Sequence, residues 1–168
     1  MKSKIIYLAV ISVVVIVLDQ ISKNYILEAF YYGESISVIQ NYFNITYVRN
    51  YGAAFGMLGQ VESKFRDIFF LLMPPSAMAI ILYMLKTSSL ADKARNIALC
   101  FVFAGALGNY IDRLRFGYVV DFLDFHYYGK WSWPAFNVAD MSIVCGVSVL
   151  ILLEIFAAPV SPKSAKAS

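Results

Sequence analysis

Four long apolar stretches decide what this chain can become: Ile5 to Leu27, Asp67 to Leu85, Asn96 to Phe116 and Asn137 to Ala158. A bilayer hydrocarbon core about 30 Å thick takes roughly 20 helical residues to cross. Peptide groups in lipid find no water to pair with, so runs of this length cross as helices. Composition agrees: 60% of the 168 residues are hydrophobic and 15% charged, against about 25% charged in a soluble domain. The expected fold is an all-α integral membrane protein of four transmembrane helices in one domain, residues 1–158, with a disordered polar tail at 159–168. Lys2 and Lys4 ahead of an apolar run also fit a secretory signal peptide. No small-x-small cleavage pattern follows Leu18, however, and the helical pattern continues through "DQISKNYIL".

Lysine and arginine in short connections are retained in the cytoplasm. Lys2, Lys4, Lys86, Lys93, Arg95, Lys163 and Lys166 fall on one side, and Arg49, Lys64, Arg66 and Lys130 on the other. Both termini are therefore expected in the cytoplasm. The net charge of +3 is accounted for by this bias and gives no reason to expect a nucleic-acid partner. Cys100 and Cys145 lie within the third and fourth stretches, where cysteine behaves as a small hydrophobe.

The one substantial external connection spans residues 28–66. Within it "NYFNITYV" sets Phe43, Ile45 and Tyr47 against Asn44 and Thr46, the two-residue period of a half-buried strand. Gly52 and Gly56 follow as turn or bulge positions. A small extracytoplasmic β-sheet over about residues 36–56 is expected on the membrane's outer face, facing an aromatic loop from Phe122 to Trp133. Pro74 and Pro75 predict a kink in the second helix. "VESKFRD" reads as a short interfacial amphipathic turn.

An ionisable side chain within a span costs about 2.5–3.5 kcal/mol on insertion scales, so each one needs a reason. At 1.5 Å per residue, Asp19 lies roughly 21 Å along from Ile5, and Asn109 and Asp112 roughly 18 and 22 Å along from Ile97. The fourth helix runs the opposite way, placing Asp140 about 5 Å from its outer start at Asn137. Asp121 follows the third helix at the same face. All of these groups share one layer near the outer interface, whereas an ion pathway would place polar residues at the midplane. Asp19 and Lys23, and likewise Asn109 and Arg113, are four apart and share a helix face. Ala104 and Gly108 form a small-xxx-small pair that admits a neighbouring helix closely. A scaffold or small transporter whose polar layer only joins helices is the alternative reading.

Asp121 and Asp140 can meet across the aromatic loop. Two carboxylates in a poorly hydrated site share a proton and titrate as a unit. One takes a proton from attacking water while the other protonates a peptide carbonyl, the aspartic-protease logic; which of the two carries the proton stays open. His126 is the single histidine, and neither HExxH nor a histidine–cysteine cluster exists, so no metal or other cofactor is expected. Ser22 and Lys23 are adjacent on a helix and point apart, which disfavours a serine–lysine dyad. Trp131 and Trp133 suit the interfacial aromatic belt.

Five blocks in order, "DQISK" from Asp19, "NYGAAFG" from Asn50, "AGALGNYIDR" from Ala104, "VVDF" from Val119 and "FNVAD" from Phe136, resemble those of bacterial lipoprotein signal peptidase, also called signal peptidase II. The resemblance implies an aspartic endopeptidase of the bacterial inner membrane. It would cut prolipoproteins just before a cysteine carrying diacylglycerol, with its active site facing outward. Its partners would be that substrate and membrane lipid, and the enzyme a monomer. The resemblance puts the catalytic pair on Asp121 and Asp140, and support or substrate binding on Asp19, Lys23, Asn50, Gly52, Asn109, Arg113 and Asn137. Ala104 departs from a glycine frequent in the family, a change expected to touch helix packing only. Other intramembrane aspartic peptidases carry GxGD, which is absent here.

Overall fold

The computed structural model describes residues 2–52 and 63–156, with side chains from residue 68 onward in the second stretch. Ala53 to Gly56 of the "NYGAAFG" block, Val61 and Glu62 of the expected interfacial turn, and the tail at 159–168 lie outside the described residues. The elements run α1 (Lys2–Ala29), β1 (Ser35–Ile39), β2 (Phe43–Asn50), α2 (Ser63–Thr87), α3 (Lys93–Phe116), β3 (Val119–Tyr127), β4 (Trp131–Ser132) and α4 (Val138–Ile155). All four helices are long and apolar enough to cross a membrane.

Solvation in lipid turns α1 inside out relative to a soluble helix. Its buried residues are Lys4, Ser12, Val15, Asp19, Lys23 and Ile26, spaced by threes, fours and one eight, so a mostly polar stripe faces the protein. Val10, Val13, Val14, Val17, Leu18 and Ile21 stand on the outside, where acyl chains rather than water receive them.

α3 is the hub, packed on α4, α1 and α2. Small residues set its distance to α4. A Cβ on Gly105 would meet the Ala139 carbonyl oxygen at 2.3 Å, and one on Gly108 would meet Asp19 Oδ2 at 3.0 Å and the Ala139 methyl at 3.2 Å. Ala104, the other member of the small-xxx-small pair with Gly108, is fully buried. The N-cap of α3 is Asp92, and its C-cap is Gly117 at φ 77°. α2 runs through both prolines as one helix. Their rings remove two backbone donors, and the Ser76 hydroxyl just after them donates to the Leu72 carbonyl one turn earlier.

The sheet is larger than the connection 28–66 could supply. It has four strands in the order β1-β2-β3-β4, so the expected aromatic loop from Phe122 to Trp133 is instead largely a strand and a hairpin. β2 and β3 pair antiparallel, with Val48 opposite Asp121 and Asn50 opposite Val119. A bulge between Ile45 and Val48 interrupts the β2 register, which is why the expected alternation fails: Thr46 and Tyr47 are buried side by side. The sheet docks on the helices through a core of Ile26, Tyr47, Val120 and Phe122, with Leu27, Phe30 and Val138 packed around it.

At the other end of the bundle Lys4 is 6% exposed. Its ammonium donates to the carbonyls of Leu85 at 2.7 Å and Ser88 at 2.6 Å. A cation there satisfies orphan carbonyls and the negative end of the α2 dipole.

Candidate active site

The site is assembled where the sheet meets the helix ends, and its anchor is the start of α4. Asn137, extended at φ −136°, caps the helix: its Oδ1 accepts the Asp140 N–H at 2.9 Å, and the Asp140 carboxylate accepts the Asn137 N–H at 3.2 Å. This reciprocal capping box fixes Asp140 in the first turn. The Asn137 side-chain amide then reaches across to β3 and donates to Asp121 Oδ1 at 2.6 Å. Both carboxylates thus hang on one residue.

Each has a second amide donor. Asp140 Oδ1 receives Asn109 Nδ2 at 2.7 Å; Asp121 Oδ2 receives Asn50 Nδ2 at 2.9 Å. Asn50 lies two residues beyond Val48, the partner of Asp121, and so shares its face of the sheet. Gly52 locks that asparagine by donating its N–H to Asn50 Oδ1 at 2.8 Å. Only glycine fits there, because φ is +97° and a Cβ would sit 2.2 Å from the Phe70 ring.

Beneath lies a buried ionic layer. Lys23, 1% exposed, donates to Asp19 Oδ2 at 2.9 Å, Asp112 Oδ2 at 3.0 Å and Asn109 Oδ1 at 2.9 Å. Asp19 Oδ1 accepts the Ala139 N–H at 2.9 Å, and Asp112 Oδ2 the Val120 N–H at 3.0 Å. Each carboxylate therefore ties a helix to the backbone neighbour of Asp140 or Asp121. Gln20 completes the layer, donating to Asp112 Oδ1 at 2.8 Å. The expected Asp19–Lys23 pair is present; Asp112 and Gln20 belong to the same cluster, although neither was singled out as a site residue. Arg113 leans over the Phe70 ring at 5.6 Å. Its charge acts on Asp140, Asp121 and Asp112 without a close ion pair among the described residues.

Asp121 is 1% exposed. Burial, and after it the charge of Asp140, pushes its carboxyl up to about 7, against the pull of the Asn50 and Asn137 donors and Lys23. A carboxyl in that range holds a proton near neutrality, as a general acid must.

Residues 11–156 match the family model described as signal peptidase (SPase) II. The chain belongs to that family. It is accordingly a peptidase, a hydrolase set in a membrane. Over 154 residues it is 46% identical to the lipoprotein signal peptidase of Serratia proteamaculans, covering 92% of this chain and 88% of that one. To the lipoprotein signal peptidase of Syntrophus aciditrophicus it is 44% identical over 152 residues, covering 90% and 94%. A bacterial membrane enzyme solved by the in meso method at 2.3 Å superposes with a TM-score of 0.79 at 34% identity, over 96% of this chain and 93% of that structure.

Proposed function

We propose that the protein removes signal peptides from diacylglyceryl-modified prolipoproteins, cutting before the lipidated cysteine at the outer face of the bacterial inner membrane, with Asp121 and Asp140 as the catalytic pair. The observation that carries this reading is the shared anchor: Asn137 donates to Asp121 through its side chain and to Asp140 through its backbone. No lysine or arginine forms a close ion pair with either carboxylate among the described residues. Such a pair keeps one proton between two acids.

The ionised member takes a proton from a water molecule as its oxygen attacks the scissile carbonyl carbon, and the protonated member gives its proton to the carbonyl oxygen. The resulting tetrahedral diol collapses when the acid that gained the water proton delivers it to the departing nitrogen. The C–N bond breaks, and the diol hydroxyl returns its proton to the other acid. Asn50, Asn109 and Asn137 aim the carboxylates, while Lys23, Asp19 and Asp112 hold the elements that carry them. Orientation follows from the lysine and arginine bias, with both termini cytoplasmic and the sheet outside. A signal peptide lying in the bilayer as a helix would then present its scissile bond at the depth of the pair.

The test is cleavage by the purified protein in detergent of a diacylglyceryl-modified prolipoprotein and its unmodified counterpart. Product from the modified form alone, abolished in Asp121→Asn and Asp140→Asn variants that still fold, is the expected outcome. Cleavage of both forms would make the enzyme a general peptidase, and undiminished cleavage by either variant would remove the pair from the chemistry.

A further inference from the structure

The space beside Asp121 continues away from the helices. Among the described residues a cleft of about 500 Å³ extends from Asp121 and Asn50, past Arg49, to Asp124, Ser132 and Trp133. Asp121 and Asp124 are three residues apart on β3, about 10 Å at the rise of a strand, an odd spacing that turns their side chains to alternate faces, yet both border the cleft. The two charged walls differ in how far they are already satisfied. Arg49 is engaged: its guanidinium lies 4.7 Å from the Tyr32 ring centroid and 5.1 Å from that of Tyr118, and its Nε donates to the Tyr47 hydroxyl at 3.0 Å.

Asp124 is not. Its carboxylate offers about four acceptor sites, yet receives only Ser132 Oγ at 3.3 Å and Asn44 Nδ2 at 3.4 Å among the described residues. His126 Nδ1 stands 3.6 Å away, beyond hydrogen-bonding range, and has no partner there. The side chain is 22% exposed, open to a visitor but shielded enough to hold its attraction for a cation. Arg49 keeps its charge but turns it onto tyrosine rings, so the charged group of the cleft with the fewest close partners among the described residues is Asp124, whose one nearby basic group there is His126 at 3.6 Å, and it sits one short extended segment from the catalytic pair.

We propose that Asp124 is a specificity-determining residue that reads the second or third residue after the scissile bond, favouring lysine or arginine there over aspartate or glutamate. This rests on the reading of Asp121 and Asp140 as the catalytic pair. The part of the substrate before the bond is apolar and belongs with the lipid-facing helices. The part after it is hydrophilic and suits a polar cleft on the sheet. An extended chain advances about 3.3 Å per residue, so the 10 Å between the two aspartates corresponds to about three residues.

The experiment compares kcat/KM of the full-length protein in detergent on two diacylglyceryl-modified substrates differing only by Lys or Glu at those positions. A partly exposed ion pair predicts a preference for Lys of about three- to tenfold at low salt. That preference falls towards one in about 0.5 M salt, as screening requires. Asp124→Asn should bring the ratio near one and Asp124→Glu should keep it, a change in selectivity that a purely structural role would not produce. A wild-type ratio of one, a ratio that survives high salt, or an Asn variant that retains it would overturn the assignment. The first two hold even if no variant folds. Failure of the wild type to cleave either substrate would instead strike the proposed function.

Discussion

Replacing Asp121 with asparagine should abolish cleavage and at the same time remove the part of the stability that falls as pH rises towards neutrality. Asparagine has the shape of a protonated carboxyl, with one acceptor oxygen and one donor group. It cannot ionise, so it removes the pH-dependent part of the cost, while its NH2 group must face one of the two amide donors that meet the carboxylate, a penalty that does not vary with pH. The Asp121 carboxyl is raised from 3.8 to about 7 in the fold. A raised acid is protonated in the folded chain while the unfolded chain has already released its proton, so stability falls as pH rises from about 4 to about 7 and is level above. Between pH 5 and pH 7 this amounts to about two pH units at 1.36 kcal/mol each, on the order of 3 kcal/mol. At about 2–4 °C per kcal/mol for a chain of this size, the melting temperature of the variant relative to wild type should rise by roughly 6–12 °C between pH 5 and pH 8. Contributions of the remaining carboxylates occur in both proteins and largely cancel in the difference. Unfolding followed by tryptophan fluorescence in detergent, with Trp131 on β4 and Trp133 directly after it, gives the measurement. An Asn variant whose melting temperature keeps a constant offset from wild type at both pH values would refute a buried carboxyl that resists ionisation.

Two further outcomes follow from the same geometry. If one shared proton is required, kcat/KM should decline about tenfold per unit above pH 7 as Asp121 loses it; a profile flat to pH 9 would contradict the shared-proton reading. Gly105→Ala should destabilise more than Gly108→Ala, by about 2–4 kcal/mol against about 1, because the new methyl meets a backbone oxygen at 2.3 Å in the first case and a side-chain oxygen at 3.0 Å in the second. Thermal half-lives in detergent rank the two, and the reverse order would contradict the α3–α4 packing described above.

The helices were legible because the bilayer imposes its thickness on any chain that crosses it. The polar layer was legible for the same reason, since each of Asp19, Lys23, Asn109 and Asp140 breaks an otherwise apolar run and so demands partners. β3 escaped notice. Its first four residues, Val119 to Phe122, are all buried, so no two-residue alternation marks it as a strand. Without β3 the sheet looked confined to residues 36–56, and the contact between Asn50 and Asp121 had no visible basis, because it depends on a pairing across some 70 residues. Asp112 is costly within an apolar run, and the sequence offers no sign of its partner beyond its spacing of three from Asn109. Gln20, a neutral residue beside Asp19, carries no such mark.

The distribution of charge explains how four neighbouring aspartates come to hold two different roles. Lys23 has three donors, and all three are committed: to Asp19, to Asp112 and to the Asn109 oxygen. The first two carboxylates are neutralised in place and in return grip the backbone N–H groups of Ala139 and Val120, each the immediate neighbour of a member of the pair. The third donor polarises the Asn109 amide, whose nitrogen then meets Asp140. The cation thus reaches Asp140 through a neutral relay rather than by contact. A lysine in direct contact with Asp140 would hold it ionised and weaken its claim on a shared proton. Moving the contact one residue away leaves Asp121 and Asp140 with neutral amide donors and each other's repulsion, the combination that the proposed single shared proton would require near neutral pH.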